Sequence, residues 1–155
     1  MALIRGLPLI VGTAVAVIGL TLSVSERARA ESRSIWSGIY SEGQAVRGAR
    51  IYPDSCGRCH GARMNGAPDD PDMYPTPPIA GPKFLRDWDG LSVAAVYEYS
   101  RATMPANNPG FLSPEELIDI IAFMLQTSGA PAGPSELAAD PASLAGIEIR
   151  QERAF

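Results

Sequence analysis

The stretch Cys56-Gly57-Arg58-Cys59-His60 decides how this chain folds. Two cysteines three positions apart, followed directly by a histidine, form the pattern by which a c-type haem is attached to a protein. Each thiol can add to one vinyl group of the porphyrin, and the adjacent imidazole can ligate the iron. These five residues contain both cysteines and the only histidine of the 155-residue chain. The sequence therefore predicts one covalent haem c, attached at Cys56 and Cys59 and ligated by His60.

Three other uses of such a cysteine pair compete with haem attachment. A disulfide between Cys56 and Cys59 would form in an oxidising compartment and stays open as an alternative. A thioredoxin-like redox pair needs a strand–helix–strand context, and no strand pattern flanks the motif. A zinc site needs four ligands, whereas two cysteines and one histidine supply three. Haem attachment is therefore the favoured interpretation.

The first thirty residues have the composition of an export signal. Arg5 precedes an apolar stretch from Leu7 to Val24, and Ala28-Arg29-Ala30 fits the small-x-small cleavage pattern. The apolar stretch is long for a signal peptide and near the lower limit for a membrane span. We therefore expect cleavage after Ala30, with a retained single-span anchor as the alternative. Either way, residues 31–155 are expected to be periplasmic or otherwise exported.

The part of the chain that follows this segment is acidic. Arg5, Arg27, Arg29 and Glu26 lie in the first thirty residues, which leaves 10 basic and 16 acidic side chains, a formal charge of −6, in residues 31–155. Such a surface argues against nucleic acid as a partner, and against a membrane unless the N-terminal segment is retained. The charge either steers a basic redox partner or only keeps the protein soluble.

Helix-capping signals divide the middle of the chain into helices. Ser41 and Gln44 have the spacing of a capping box. Ser113, Pro114 and Glu116 combine a capping box with proline at the first helical position. Apolar spacing and the candidate cap Ser92 add further helices. In chain order, we predict helices from residue 42 to about 52, over 83–89, from 93 to about 101, and from 114 to about 128.

The remaining segments lack helical or strand periodicity. Residues 31–40 are predicted to be a linker, and residues 61–81 a long loop interrupted by prolines. The aspartates between residues 69 and 72 lack the ligand spacing of an EF-hand, so we interpret them as a solvated turn. Residues 130–155 are rich in Ala, Pro and Gly. They are predicted to be a partly ordered tail.

The haem iron needs a second axial ligand or keeps an open site. Methionine opposite histidine raises the haem potential and suits electron transfer. Met104 precedes Pro105 in a loop before the last helix, from which the chain can return over the distal face of the haem. We therefore predict Met104 as the distal ligand of the iron. The alternatives are Met64, close to the motif; Met73, in the acidic loop; Met124, expected in the core; and Lys83, the only lysine.

With these motifs in order, residues 41–127 resemble a class I, mono-haem cytochrome c. The resemblance depends on the haem motif and on Gly48, Tyr52, Pro77-Pro78-Ile79-Ala80-Gly81, Met104-Pro105 and Phe123. It implies an all-α fold, in which a few helices wrap around one haem and Gly48 lets the first helix cross the last against Phe123. It also implies that the Pro77 carbonyl accepts the ring N–H of His60 and tunes the iron. Ile79 stands where the family usually has leucine.

The resemblance implies a carrier of single electrons that transforms no substrate by itself. Its expected partners are a dehydrogenase as electron donor and an oxidase or another cytochrome as acceptor. The expected organisation is an N-terminal signal or anchor (1–30), a linker (31–40), a cytochrome domain (41–129) and a tail (130–155). Two alternatives stay open: a membrane-anchored haem subunit of a dehydrogenase or respiratory complex, and a peroxidase or gas sensor with an open iron.

Overall fold

The structure, a computed structural model, describes residues 33–67 and 76–151. The predicted signal or anchor, the aspartate-rich turn and Met73 lie outside these residues. None of the helices within them is long and apolar enough to cross a membrane.

Helices form most of the regular structure in these residues, which confirms the predicted class of a few helices. The helices are α1 (Glu42–Tyr52), α2 (Arg58–His60), α3 (Gly81–Asp87), α4 (Val93–Thr103), α5 (Pro114–Thr127) and α6 (Pro141–Ala145). A short 3₁₀ turn spans Ile35–Ser37, and a π-helical turn spans Pro53–Gly57. The sequence did not predict the small parallel sheet, in which β1 (Arg33–Ser34) pairs with β2 (Ile147–Glu148).

The helix starts follow the predicted capping signals. The Ser41 hydroxyl accepts the Gln44 N–H at 3.2 Å, and the Gln44 side chain accepts the Ser41 N–H at 3.4 Å. The same reciprocal pair joins Ser113 and Glu116 at 3.2 and 2.9 Å. These bonds satisfy N–H groups that have no partner inside the helix. Helix α3 begins at Gly81, two residues before its predicted start.

The close crossing of α1 and α5 depends on Gly48. A Cβ atom at this position would lie 2.0 Å from the backbone oxygen of Asp119, a distance that no side chain tolerates. The predicted close crossing at Gly48 is confirmed, and the atoms nearest to Gly48 belong to the Asp119 and Ile120 backbone, one turn before Phe123 on α5. The Phe123 ring meets Tyr52 edge-on, one turn further along α1, with ring centroids 5.8 Å apart.

An ion-pair network holds the same crossing together. The Arg47 guanidinium donates to the two carboxylate oxygens of Asp119 at 2.6 and 2.9 Å, and to Glu136 at 3.0 Å. These hydrogen bonds, to Asp119 first, raise the pKa of Arg47, and the bond from Arg47 lowers the pKa of the Glu136 carboxyl. Asp119 is buried, so removing its partner would leave a buried charge.

Residues 130–151 form a C-terminal strap that packs against the helices, an arrangement that the predicted tail did not include. The side chains of Leu137, Leu144, Ile147 and Ile149 are buried in the core. The predicted linker is likewise packed from residue 33 onward, since Ile35 and Tyr40 are fully buried there. No periodicity indicated this order, because the buried residues of the strap are unevenly spaced and pack against different elements.

Gln44 connects the strap to α1. Its side-chain amide donates to the Leu137 carbonyl at 2.9 Å and accepts the Leu137 N–H at 2.6 Å. Both side chains are buried, so water does not replace these bonds. The Tyr40 hydroxyl adds a bond of 2.6 Å to the Ala130 carbonyl. The strap is therefore held by hydrogen bonds that satisfy buried polar groups as well as by apolar packing.

We predict that Gly48→Ala lowers the free energy of unfolding by about 3 kcal/mol, because the added methyl group forces α1 and α5 apart. Urea unfolding of the haem-loaded protein measures the change. The matched control is Gly43→Ala in the same helix, where the nearest atoms leave ordinary contact distances. This control should be neutral or stabilising by up to about 1 kcal/mol. Equal stability of the two variants would contradict the close crossing.

We predict that Gln44→Leu lowers the free energy of unfolding by about 2–4 kcal/mol. The substitution leaves the buried N–H and carbonyl of Leu137 without partners, and each costs about 1–3 kcal/mol. Gln126→Leu, on the exposed end of α5, is the control and should change stability by less than about 0.5 kcal/mol. If Gln44→Leu kept the stability of the wild type and only Gln126→Leu lost stability, the result would argue against the attachment of the strap to α1.

Candidate haem site

The structure contains a cavity of about 360 Å³ between α3, α4, α5 and the turn that carries the cysteines. The cavity is lined by all five residues that the sequence analysis assigned to a site: Cys56, Cys59, His60, Pro77 and Met104. Its other walls are mainly apolar and include Ile79, Phe84, Trp88, Val96, Leu112, Leu117, Ile120 and Met124. Such a volume in a small protein is large enough for a bound ligand.

The two cysteines lie on the turn that continues α1. The α-helix ends at Tyr52, before Pro53, and the π-helical turn and α2 follow it directly. Both thiols are free. Burial raises the pKa of the Cys56 thiol, against a smaller lowering by the hydrogen bond from Ser55. Cys59 is exposed at the edge of the cavity, so the two sulfur atoms occupy differently solvated positions.

His60 has one ring nitrogen engaged. Its Nδ1 lies 2.9 Å from the Pro77 carbonyl oxygen. A carbonyl can only accept a hydrogen bond, so Nδ1 carries a proton, and in the neutral ring this leaves the lone pair on Nε2. The residue is buried against the cavity. This is the tautomer that a metal ligand needs, and the contact is the one that the resemblance implies for Pro77.

Two methionines line the cavity. Met104 ends α4 in an extended conformation, with φ −122° and ψ 149°, as its place before Pro105 predicts. Met124 is almost fully buried on α5. Met124 was predicted to lie in the core, which is confirmed, but its place in the cavity wall was not predicted. Its spacing from Leu117 and Ile120 was the available signal, since all three lie on one helix face and line the cavity.

The other predicted alternatives for the distal ligand lie elsewhere. Met64 is buried but does not line the cavity. The Lys83 ammonium donates to the Asp87 carboxylate at 2.7 Å on the exposed side of α3. Among the described residues, Met104 and Met124 are therefore the two candidates that combine a suitable donor atom with a place in the wall.

An aromatic chain forms one side of the cavity. The rings of Phe84 and Trp88 have centroids 6.3 Å apart, and those of Trp88 and Tyr99 are 5.9 Å apart in an edge-on arrangement. Asp87 is the one acidic residue of the lining, and Lys83 is its partner. None of these three aromatic residues was among the site residues predicted from the sequence. The site is thus apolar and nearly uncharged.

The residues of the cavity fit a haem c. A porphyrin needs apolar walls, which the cavity has, and covalent attachment needs two thiols at its edge. An axial ligand needs a buried nitrogen lone pair, which His60 supplies. The described residues contain no group of three or more His, Cys, Asp or Glu side chains that could hold a bare metal ion.

Comparison with known proteins finds two similarities. The family described as "Cytochrome C oxidase, cbb3-type, subunit III" matches residues 43–124, which include every assigned site residue. A thiosulfate dehydrogenase of Psychrobacter arcticus is 33% identical over 79 residues, which are 49% of this chain and 24% of that protein. The similarity thus spans about a quarter of the relative's length. No solved structure matches the chain significantly.

We predict that Met104→Ala keeps the haem attached, lowers its reduction potential and lets carbon monoxide bind the iron. Loss of a thioether ligand removes a group that raises the potential. A fall on the order of 100 mV is expected, since axial ligands set haem potentials over about 0.8 V. Potentiometric titration and the carbon monoxide difference spectrum measure both effects.

Met124→Leu is the matched control, because it removes the other sulfur of the cavity wall with little change in volume. This variant should keep a potential near that of the wild type and stay insensitive to carbon monoxide. The opposite result, with Met124→Leu opening the iron and Met104→Ala leaving it closed, would transfer the distal role to Met124.

Proposed function

The chain belongs to the c-type cytochrome family described as cytochrome c oxidase, cbb3-type, subunit III, and from this premise we propose that it is an exported, mono-haem electron carrier. Membership of this family implies that the cofactor is haem c and that the role is electron transfer. The gathering of both thiols, His60 and Met104 around one apolar cavity is the observation that carries the proposal. The chain alone is proposed to transform no substrate.

The residues of the cavity have distinct proposed roles. Cys56 and Cys59 would hold the haem by adding their S–H groups across its two vinyl groups, and the Nε2 atom of His60 and the sulfur of Met104 would ligate the iron. When bound, the haem supplies an iron that accepts and releases one electron. The Pro77 carbonyl holds the proton on Nδ1 of His60, which keeps the ring in the tautomer and orientation for ligation.

The side chains that form the walls of the cavity would influence the reduction potential of the haem. Apolar side chains exclude water from the iron and lower the local dielectric, and burial and hydrogen bonding of the ligands are among the means by which a protein tunes a haem. Asp87 is already paired with Lys83, so the lining adds little net charge. A closed, apolar site with two protein ligands favours rapid electron exchange over chemistry at the iron.

The proposed partners are redox proteins. We assign the role of electron donor to a periplasmic dehydrogenase and that of acceptor to an oxidase or another cytochrome. The export pattern of residues 1–30 supports the compartment, and the dehydrogenase named among the relatives supports the class of donor.

A second candidate is a cytochrome subunit that stays in a dehydrogenase complex. The similarity to part of a thiosulfate dehydrogenase favours this candidate, because that longer protein contains a segment similar to this chain. In this role the N-terminal segment would be retained as an anchor. Membrane fractionation with N-terminal sequencing of the mature protein separates the two: a soluble protein beginning near residue 31 supports the carrier.

The absorption spectrum of the purified protein tests the proposed function. Oxidised and reduced spectra, recorded with and without carbon monoxide, should show one low-spin haem c that ignores the gas. A high-spin or carbon monoxide-sensitive spectrum would point instead to an open iron, as in a peroxidase or gas sensor.

We predict that the double variant Cys56→Ala, Cys59→Ala is free of covalent haem and largely unfolded. Without the haem, the apolar walls of the cavity would lose the contacts that fill the space between them and would face water instead. A typical domain is stable by only about 5–15 kcal/mol, so the loss of this packing should unfold most of the protein. Circular dichroism and pyridine haemochrome spectra check the outcome. Either single variant, which keeps one attachment, should retain some haem; a cooperatively folded, haem-free double variant would contradict the prediction.

A further inference from the structure

We propose that Thr76 is a positioning residue for the proximal ligand. Its hydroxyl ties the segment that carries the Pro77 carbonyl to the backbone beside His60, and so sets the strength of the hydrogen bond between Pro77 and His60. The inference rests on the proposed function, because it concerns the ligand through which the chain would hold and tune the haem.

The backbone around His60 lies at the end of a short helix. Helix α2 ends at His60, and Gly61, with a φ of 77°, turns the chain away. The last carbonyls of a helix have no partner within it. Here three successive carbonyls accept bonds from other segments: Cys59 from the Thr76 hydroxyl at 2.6 Å, His60 from the Gly66 N–H at 2.9 Å, and Gly61 from the Tyr52 hydroxyl at 2.6 Å.

The segment that carries the acceptor of His60 has few means of attachment. Pro77 and Pro78 have no N–H, so neither can donate a backbone hydrogen bond. The next donor along the chain is the Ile79 N–H, which bonds the Met64 carbonyl at 2.9 Å. On the other side of Pro77, the hydroxyl of Thr76 is the hydrogen-bond donor that attaches the segment. The Pro77 carbonyl is therefore fixed by one anchor before it and one after it.

Two hydrogen bonds run side by side between the ligand and this segment. The Thr76 hydroxyl donates to the carbonyl of Cys59. One residue further along each of the two segments, Nδ1 of His60 lies 2.9 Å from the carbonyl oxygen of Pro77. Gly66 allows the Thr76 backbone to approach this closely, since a Cβ atom at Gly66 would lie 2.2 Å from the Thr76 carbonyl oxygen. Loss of the first bond should lengthen and loosen the second.

The strength of the second bond bears on the iron. A hydrogen bond from Nδ1 to a carbonyl raises the basicity of the imidazole and makes Nε2 a better ligand. A more basic ligand favours the ferric form over the ferrous form. Weakening the bond should therefore shift the equilibrium toward ferrous iron and raise the reduction potential.

The test compares Thr76→Val and Thr76→Ser with the wild type in the haem-loaded protein. The first variant keeps the shape and loses the hydroxyl; the second keeps the hydroxyl. Thr76→Val should shift the ferrous-to-ferric ratio about threefold, roughly 30 mV at 59 mV per tenfold change for one electron. NMR should show faster solvent exchange of the His60 Nδ1 proton. Thr76→Ser should restore both values to near those of the wild type.

Tyr52→Phe is the matched control, because it removes an equally short hydroxyl bond from the carbonyl on the other side of His60. It should lower the unfolding midpoint and leave the potential and the exchange rate unchanged. Equal shifts in Tyr52→Phe and Thr76→Val would overturn the special role of Thr76, and so would a Thr76→Val variant with wild-type potential and exchange.

If Thr76→Val yields no haem-loaded protein, Thr76→Ala is compared with Thr76→Ser by the same two measurements, and equal values would also overturn the proposal. Its failure is distinct from failure of the proposed function. In the latter case the wild type itself would lack a covalent, low-spin haem with a reversible one-electron couple.

Discussion

The contact between α1 and α5 at Gly48 is the constraint on which the rest of the structure depends. Because no side chain separates the two backbones there, the helices can cross closely and the Arg47–Asp119 pair can close over the crossing. The crossing fixes the position of α1 against α5, and so the position of the cysteine-bearing turn that continues α1. It also directs the Leu117, Ile120 and Met124 face of α5 into the cavity. The two halves of the site are therefore oriented by one helix–helix contact.

The cavity explains why so small a domain needs so many ties between distant segments. Much of the volume at its centre is not filled by the chain, so fewer side chains contact one another there than in an ordinary core. Hydrogen bonds to helix ends, an ion pair at the crossing and the strap hold the walls instead. The side-chain amide of Gln44 makes two of these connections at once, because it both caps α1 and binds the strap.

Features with a local physical cause could be predicted from the sequence. The capping boxes at Ser41 and Ser113 depend on residues three apart, and the haem motif lies within five residues; both were recognisable without a structure. The strap was not, because its order comes from contacts with residues about ninety positions away, such as Gln44 with Leu137. The backbone atoms that Gly48 meets, at Asp119 and Ile120, could not be specified for a related reason. A small residue indicates a close approach, but the pattern does not specify which turn of the other helix it meets.

The pairing of β1 with β2 has a mechanical consequence. Arg33, where the described chain begins, is joined side by side to Ile147, and the Trp36 indole N–H donates to the Arg150 carbonyl at 2.9 Å. A pull on the chain at Arg33 would be shared between these bonds and the segment that leads to α1. Part of such a load would pass into the strap instead of the helix that continues into the cysteine turn.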